Sequence, residues 1–403
     1  MLTTLDLRAA PDTQDFLHRT VQTLAEGGLV AVPTESTYGL IAHSLNPKAI
    51  QTLKNWYSST VSALPVDSPT NKNPFDQTLG GPPEFPDPPP FCFLVPSTQA
   101  AEDYLLDWSP LIGRLARRCW PGPLQIEVIP SDASFDAKQL FGGGGDLCRG
   151  GSGQVAFRVI SQRIIQGIHR YLPGPIVFCP LGSASGRAVT TATEAKDYLP
   201  DSVPLLLDDG PTRYGGSPTR VTVEKNRYQI LHQGAIEEAA MNQFVKPVIV
   251  LVCTGNTCRS PMAETLLRER FRVKFGREDL VRVLSAGVAA ADGYGASSQA
   301  VEVMGQRGLD LTGHSSRSLD DELINIADVI LTMTRGHRSA ILAAWPELES
   351  RVRTLRRDGG DVSDPVGMPV EVYQSCADQI DLELEAWIDG LDDDFFPSNL
   401  AGV

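Results

Sequence analysis

Cysteine, histidine and long apolar runs are all scarce in this chain. Seven cysteines and six histidines in 403 residues are too few for a disulfide scaffold, which is short, dense in cysteine and usually even in count. The thiols are therefore read as free, and one of them is available to react. A metal site is not expected either: Cys253 and Cys258 have no second Cys or His pair at finger-like spacing. No run approaches the roughly 20 apolar residues of a membrane span. The opening MLTTLDLRAAPD has no basic stretch leading into an apolar one, so no secretory signal and no membrane partner is expected. The expected location is the cytoplasm. Positive charge is in deficit: 35 Lys and Arg stand against 49 Asp and Glu, a net charge of −14. Such a surface repels nucleic acid over most of its area and leaves RNA contact only to a local basic groove.

What is present is enough apolar residue for a core, 42 % against 21 % charged. At roughly 150 residues per domain the length suggests two or three domains. The first region runs to about Gln233, with short apolar strands ending in turn residues (GGLVAVPTESTYGLIA, PIVFCPLG, LLLDDG, TRVTV) and a helical stretch over Pro110–Trp120. Within it, Ser58–Pro90 is rich in Pro, Ser and Asn and reads as an exposed loop or insertion. Gly142–Gly153 is too glycine-rich for a helix or strand interior. It lacks the Gly-Lys-Ser/Thr of a phosphate cradle, so a mobile loop is expected there. Ala235–Lys246 reads as a linker or terminal helix. From Pro247 on, apolar strands alternate with helices: VIVLV at Val248–Val252, a helix presenting Met262, Leu266, Leu267 and Phe271, then VRVLSA, a helix over Ser298–Arg307, ADVILTM, a helix after His337, and a closing helix from Val370 to about Leu391. This pattern predicts a parallel sheet with helices on both faces. No internal repeat relates the halves.

The segment Cys253-Thr254-Gly255-Asn256-Thr257-Cys258-Arg259-Ser260-Pro261 joins the first of these strands to its helix. A loop entering a helix aims backbone N–H groups at one point, where the helix dipole adds positive potential. Gly255 lets the backbone approach an anion closely. Arg259 offers a two-pronged grip on phosphate oxygens. The positive field favours the thiolate of Cys253, a nucleophile facing a bound phosphoryl group. Ser260 can donate to the sulfur, and Pro261 falls in the first helical turn. A lone cysteine at a strand end is more often a small buried hydrophobe. Strand, Cys-x5-Arg-Ser and helix together outweigh that reading. The reaction also needs an acid for the leaving group, and Asp358, Asp361 and Asp364 all lie in the turn-rich stretch before the last helix. Spacing alone does not choose among them.

VCTGNTCRSPMAE, SAG at Ser285–Gly287, ADVILTMT and the late Asp364-Pro365 resemble the low-molecular-weight cysteine phosphatases over about Pro247–Phe396. The resemblance implies a Rossmann-like domain with a four-stranded parallel sheet. It implies Cys253 as nucleophile, Arg259 as phosphate clamp and Asp364 as general acid. Thr254, Gly255, Asn256, Thr257, Cys258 and Ser260 would bind phosphate or hold the loop, with no cofactor and with a phosphorylated protein as substrate. Thr257 leans the match toward the protein arginine phosphatase branch, because a hydroxyl accepts a hydrogen bond from a guanidinium and a hydrocarbon does not. Val366 stands where the family commonly has an aromatic. The arsenate-reducing branch uses further downstream cysteines, and this chain has Cys376 alone.

The front half resembles the threonylcarbamoyl-AMP synthase family of the YrdC type over about Ala10–Ile236. The resemblance rests on VAVPTESTYGLIA, RRCWPGPLQIEV, VAFRV, LLLDDG and ILHQGAI. It implies an open, twisted α/β sheet with a positively lined cavity, and tRNA modification from ATP (with Mg), threonine and bicarbonate. Thr34, Thr37, Tyr38, Lys54 and Arg158 remain of the expected pocket. Lys54-Asn55-Trp56 loses an arginine, Leu181-Gly182-Ser183 loses two polar side chains, Thr219-Arg220 replaces a Ser-Thr pair, and His232 replaces an arginine. The expected organisation is a degenerate synthase-like domain at 1–240 and a phosphatase domain at 247–396. Three functions compete: a working phosphatase fused to a synthase-like module, an active synthase with a regulatory phosphatase, and a non-catalytic interaction protein. The intact Cys-x5-Arg-Ser and the altered front motifs favour the first.

Overall fold

The computed structural model describes residues 2–9, 12–62, 91–105, 108–129, 141–149, 153–182, 187–277, 279–391 and 395–397. The chain divides into two compact units, Met1–Phe244 and Val245–Val403. The division falls at the end of a short helix, Glu238–Phe244.

In the first unit, ten described strands form one mixed sheet. They are β1 Thr3–Asp6, β2 Val30–Pro33, β3 Tyr38–His43, β4 Cys92–Leu94, β5 Leu124–Val128, β6 Val155–Arg158, β7 Ile176–Pro180, β8 Leu205–Asp208, β9 Thr219–Glu224 and β10 Arg227–His232. Their order is β1-β8-β2-β3-β7-β4-β6-β5-β9-β10. Strands β2 to β9 are mostly or wholly buried, whereas β10 alternates between exposed and half-buried positions at the sheet edge. Helices Gln14–Ala25 and Arg163–Ile168 cover one face through Leu17, Leu24, Ile164, Ile165 and Ile168.

Two irregular stretches differ from expectation. The helix Pro47–Ser62 runs through the first residues of the Ser58–Pro90 segment, and the rest of that segment lies outside the described residues. The glycine-rich patch is a short helix over Gly143–Cys148, not a loop. Packing overrides propensity there. A Cβ on Gly144 would lie 2.7 Å from Ser44 Cβ and 2.8 Å from Val177 Cγ2, so the glycine lets the helix backbone lie against β7, while Leu147 and Cys148 are buried beneath it. Residues 150–152 lie outside the description.

The second unit is a four-stranded, all-parallel sheet. Its strands are β11 Val248–Cys253, β12 Arg282–Gly287, β13 Val329–Thr332 and β14 Val352–Thr354, in the order β12-β11-β13-β14. Strand β11 feeds both faces by simple alternation. Ile249, Leu251 and Cys253 pack with Met262, Leu266, Leu267 and Phe271 of helix Arg259–Phe275, and with helices Ser298–Gln306 and Val370–Asp389. Val248, Val250 and Val252 pack with Leu323 and Ile324 of helix Asp321–Ile326 and with Ile341 of helix Arg335–Ala344. The continuous apolar run in the sequence is thus a strand buried on both sides. No described helix is long and apolar enough to cross a membrane.

Candidate active site

The chain leaves β11 with β12 on one side and β13 on the other. In an open parallel sheet the crevice beyond the strand ends lies at such a switch point. The loop there is packed tightly against the end of β12. A Cβ on Gly287 would lie 2.4 Å from Thr254 O and 3.0 Å from Asn256 N, so only glycine fits. Val288 N then donates to Cys253 O and Ala289 N to Thr254 O, both at 3.0 Å.

Asn256 turns the loop. Its backbone is left-handed at φ 52°, a region that Asn tolerates better than most residues. Its buried side chain donates to Ser260 Oγ at 2.9 Å and Ser285 Oγ at 2.8 Å, and accepts from Arg317 N at 3.0 Å. Its carbonyl accepts from His314 Nε2 at 2.7 Å, which places that ring proton on Nε2. Ser260 Oγ lies 3.0 Å from Cys253 Sγ and 3.3 Å from Ala286 O. Asn256 already donates to Ser260 Oγ, so the one hydroxyl proton is shared between the sulfur and Ala286 O. Thr257 O accepts from Ser297 N at 2.8 Å. Cys258 Sγ lies beside Ser297 Oγ and Tyr373 OH, at 3.4 and 3.3 Å.

The helix Arg259–Phe275 begins without a side-chain cap, so its first-turn N–H groups are left for an anion. Arg259 is buried and held from above. Nη1 donates to Val362 O at 3.3 Å, and Nη2 to Asp364 Oδ2 at 2.5 Å. The three candidate acids are separated by their partners. Asp361 accepts from Arg335 N at 2.8 Å and from the Arg335 guanidinium, which together hold its carboxyl below the usual range. Asp358 is lowered chiefly by its hydrogen bond from Arg356 and next by Gly360 N. Asp364 alone reaches the arginine of the loop.

The family model described as low molecular weight phosphotyrosine protein phosphatase matches residues 248–395. The protein-arginine-phosphatase of Geobacillus stearothermophilus is 42 % identical over 147 residues, which are 36 % of this chain and 92 % of that protein. The chain belongs to this phosphatase family. A probable low molecular weight protein-tyrosine-phosphatase of Ralstonia solanacearum is 36 % identical over 35 % of this chain and 92 % of its own length. The protein-arginine-phosphatase of Bacillus subtilis is 39 % identical over 33 % of this chain and 89 % of its own. The Sua5/YciO/YrdC model, described as telomere recombination, matches residues 85–234, so the phosphatase-family domain is fused to a YrdC-like one.

Ser285, His314 and Arg317 hold Asn256 from β12 and the loop after helix Ser298–Gln306. Ser285 belongs to the SAG motif, whereas His314 and Arg317 carry no motif of their own. His337, from helix Arg335–Ala344, contacts Thr254 Oγ1 through Nε2 at 2.9 Å. Val366 is exposed beside Asp364. Cys376 is buried, and that burial pushes its thiol up to about 12, which leaves it an inert packing residue.

In the YrdC-like unit, the structure brings Thr34, Thr37 and Arg158 to one buried turn. Thr34 Oγ1 donates to Thr37 O at 2.7 Å and accepts from Ser36 N and Thr37 N. Tyr38 OH is turned away to Gly210 O at 2.7 Å. Arg158 Nη2 donates to Glu35 Oε1 at 2.7 Å and Ser36 Oγ at 2.6 Å. Lys54 is exposed on its helix and Trp56 is half-buried. Leu181 is buried and His232 exposed, whereas Ser183 lies outside the described residues. Thr219 Oγ1 serves the backbone, with Ile236 O at 2.8 Å, and Arg220 pairs with Glu127 at 2.9 Å.

Proposed function

We propose that the second unit hydrolyses phosphorylated protein residues through a phosphocysteine intermediate, without a metal or other cofactor. The observation that carries this reading is the convergence on one uncapped helix start: Cys253 with Ser260 at its sulfur, and Arg259 with Asp364 above it. The Cys253 thiolate attacks phosphorus as the bond to the leaving group breaks, and Asp364 supplies the proton to that group. Water then cleaves the phosphocysteine, with Asp364 taking a proton from it. Arg259 and the loop N–H groups hold the phosphoryl oxygens. Thr254, Gly255, Thr257 and Cys258 contribute backbone donors, and Asn256 keeps the loop folded.

Phosphoarginine is the proposed preferred residue over phosphotyrosine. Thr257 offers a hydroxyl that accepts from a guanidinium, while Val366 in place of an aromatic selects strongly for neither substrate. The test is hydrolysis of an aryl phosphate by the full chain in chelator, with trapping of phosphocysteine. Cys253→Ser is expected to abolish turnover and Arg259→Ala nearly to do so. Turnover by the serine variant at the native rate would sink the assignment. Equal rates on phosphoarginine and phosphotyrosine peptides, unchanged by Thr257→Ile, would refute the preference.

The first unit is proposed as a binding or scaffolding module without synthase turnover. The reading is supported by Arg158, whose charge is met by Glu35 inside the protein, with side chains 0 % and 5 % exposed. ATP with Mg, threonine, bicarbonate and RNA are the ligands to test there. A cytoplasmic location suits a chain whose seven cysteines are all free.

A further inference from the structure

His337 is almost wholly buried, yet its Nδ1 has no hydrogen-bond partner. Its Nε2 lies 2.9 Å from Thr254 Oγ1, the residue that follows the nucleophile. These two facts fix the ring's state. A proton on Nδ1 would be a buried donor without an acceptor, which is costly, whereas a bare Nδ1 lone pair is the lesser loss. The proton therefore sits on Nε2 and is donated to Thr254 Oγ1. Thr254 is itself exposed, so its side chain would otherwise rotate freely at the mouth of the loop.

We propose that His337 is a positioning residue of the phosphatase site: neutral and protonated on Nε2, it anchors the Thr254 hydroxyl and with it the first turn of the anion loop. Among the described residues, Arg259 from its helix, and Asp364 and Asp361 from the loop before the last helix, act electrostatically on the imidazole. On its own helix, Arg335 is paired with Asp361. Burial first, and the Arg259 guanidinium second, push the imidazole below its usual range, against the opposing pull of the two aspartates. The neutral form is thus kept into mildly acid solution. Protonation would strand a buried N–H on Nδ1 and set a second cation beside Arg259.

The role rests on the phosphatase reading, and the experiment separates the two. Native chain and Cys253→Ser on an aryl phosphate test that reading first. His337→Ala, His337→Gln, Thr254→Val and the double variant His337→Ala/Thr254→Val are then compared in the full chain. Turnover and binding of inorganic phosphate are both measured, so the loop is read even where turnover fails. Loss of one anchoring hydrogen bond is expected to lower kcat/KM, and phosphate affinity with it, by about 5–10-fold. Glutamine places an N–H near the Nε2 position and is expected to recover most of that loss. Thr254→Val is expected to cost as much as His337→Ala, and the double variant no more than either. Histidine ¹⁵N spectra are expected to show one ring protonated on Nε2 that titrates below the ordinary imidazole range. Additive losses, a glutamine variant as poor as alanine, or a His337 ring protonated on Nδ1 would overturn the proposal. Should His337→Ala fail to fold, an unimpaired Thr254→Val would overturn it alone.

Discussion

Three aspartates stand within seven residues of one loop, and only their partners tell them apart. Asp361 serves Arg335 at a helix start and Asp358 serves Arg356, both as anions held below the usual carboxyl range. A general acid must reach the leaving group, and both are committed to arginines outside the loop. Asp364 lies against Arg259, where a phosphoryl group would be gripped. Asp364→Asn is therefore expected to slow substrates with poor leaving groups by about 10²–10⁴-fold, while activated aryl phosphates lose far less. Asp361→Asn is expected to leave that leaving-group dependence intact. The plot of log kcat against leaving-group pKa for each variant decides it, and a steepened slope for Asp361→Asn alone would show the wrong carboxylate had been chosen. Cys253 and Arg259 were legible in the sequence because their spacing along one loop is their geometry. Asp364 was reached only through family resemblance. His337, His314 and Arg317 were not read at all, since their relation to the loop exists only once other segments fold beside it.

At the scale of elements, the alternation of β11 and the faces of its neighbouring helices were legible because burial on both sides leaves a continuous apolar run. The Gly143–Cys148 helix was not. Its glycines are poor helix formers, by about 1 kcal/mol each relative to Ala, and nothing local announces the packing that compensates. Two substitutions separate propensity from packing. A Cβ on Gly143 would meet Ile50 Cγ2 at 3.3 Å, a side-chain end able to shift, whereas a Cβ on Gly144 would meet Ser44 Cβ at 2.7 Å and Ser44 Cα at 3.1 Å. Gly143→Ala is expected to be neutral or slightly stabilising, through propensity. Gly144→Ala is expected to destabilise the first unit, because overpacking costs about 1–3 kcal/mol and outweighs the propensity gain. Urea midpoints of the first unit's transition, followed in the full chain, measure both. A stabilised Gly144→Ala would mean the close approach is not required.

At the scale of the whole molecule, one chain carries two units with separate sheets and cores, and the second brings Cys253, Ser260, Arg259 and Asp364 to one loop. In the first, the polar atoms of the expected pocket are largely engaged by the protein. Thr34 Oγ1 closes its own turn, Tyr38 OH serves Gly210, and the Arg158 charge is met by Glu35. A triphosphate needs fixed donors and positive charge in a partly dry site. Glu35 beside Arg158 opposes an anion there, and moving it aside would leave a carboxylate to be resolvated. Leu181 is buried and offers no side-chain donor, and His232 is exposed. Each polar group of a nucleotide left unpaired costs about 1–3 kcal/mol, and about 1.4 kcal/mol is tenfold in affinity. Two or three such losses are expected to place ATP binding orders of magnitude below that of a working synthase. The full chain bearing Cys253→Ser, which removes the phosphatase background, is therefore expected to release no pyrophosphate from ATP, Mg, threonine and bicarbonate, and to show no saturable heat with ATP in calorimetry. Arg158 Nη1 and Thr37 Oγ1 remain buried without a partner, so a small zwitterionic ligand such as threonine is expected to bind, weakly and without turnover. Bicarbonate-dependent pyrophosphate release would show that Glu35 gives way to substrate and that the first unit is a living synthase.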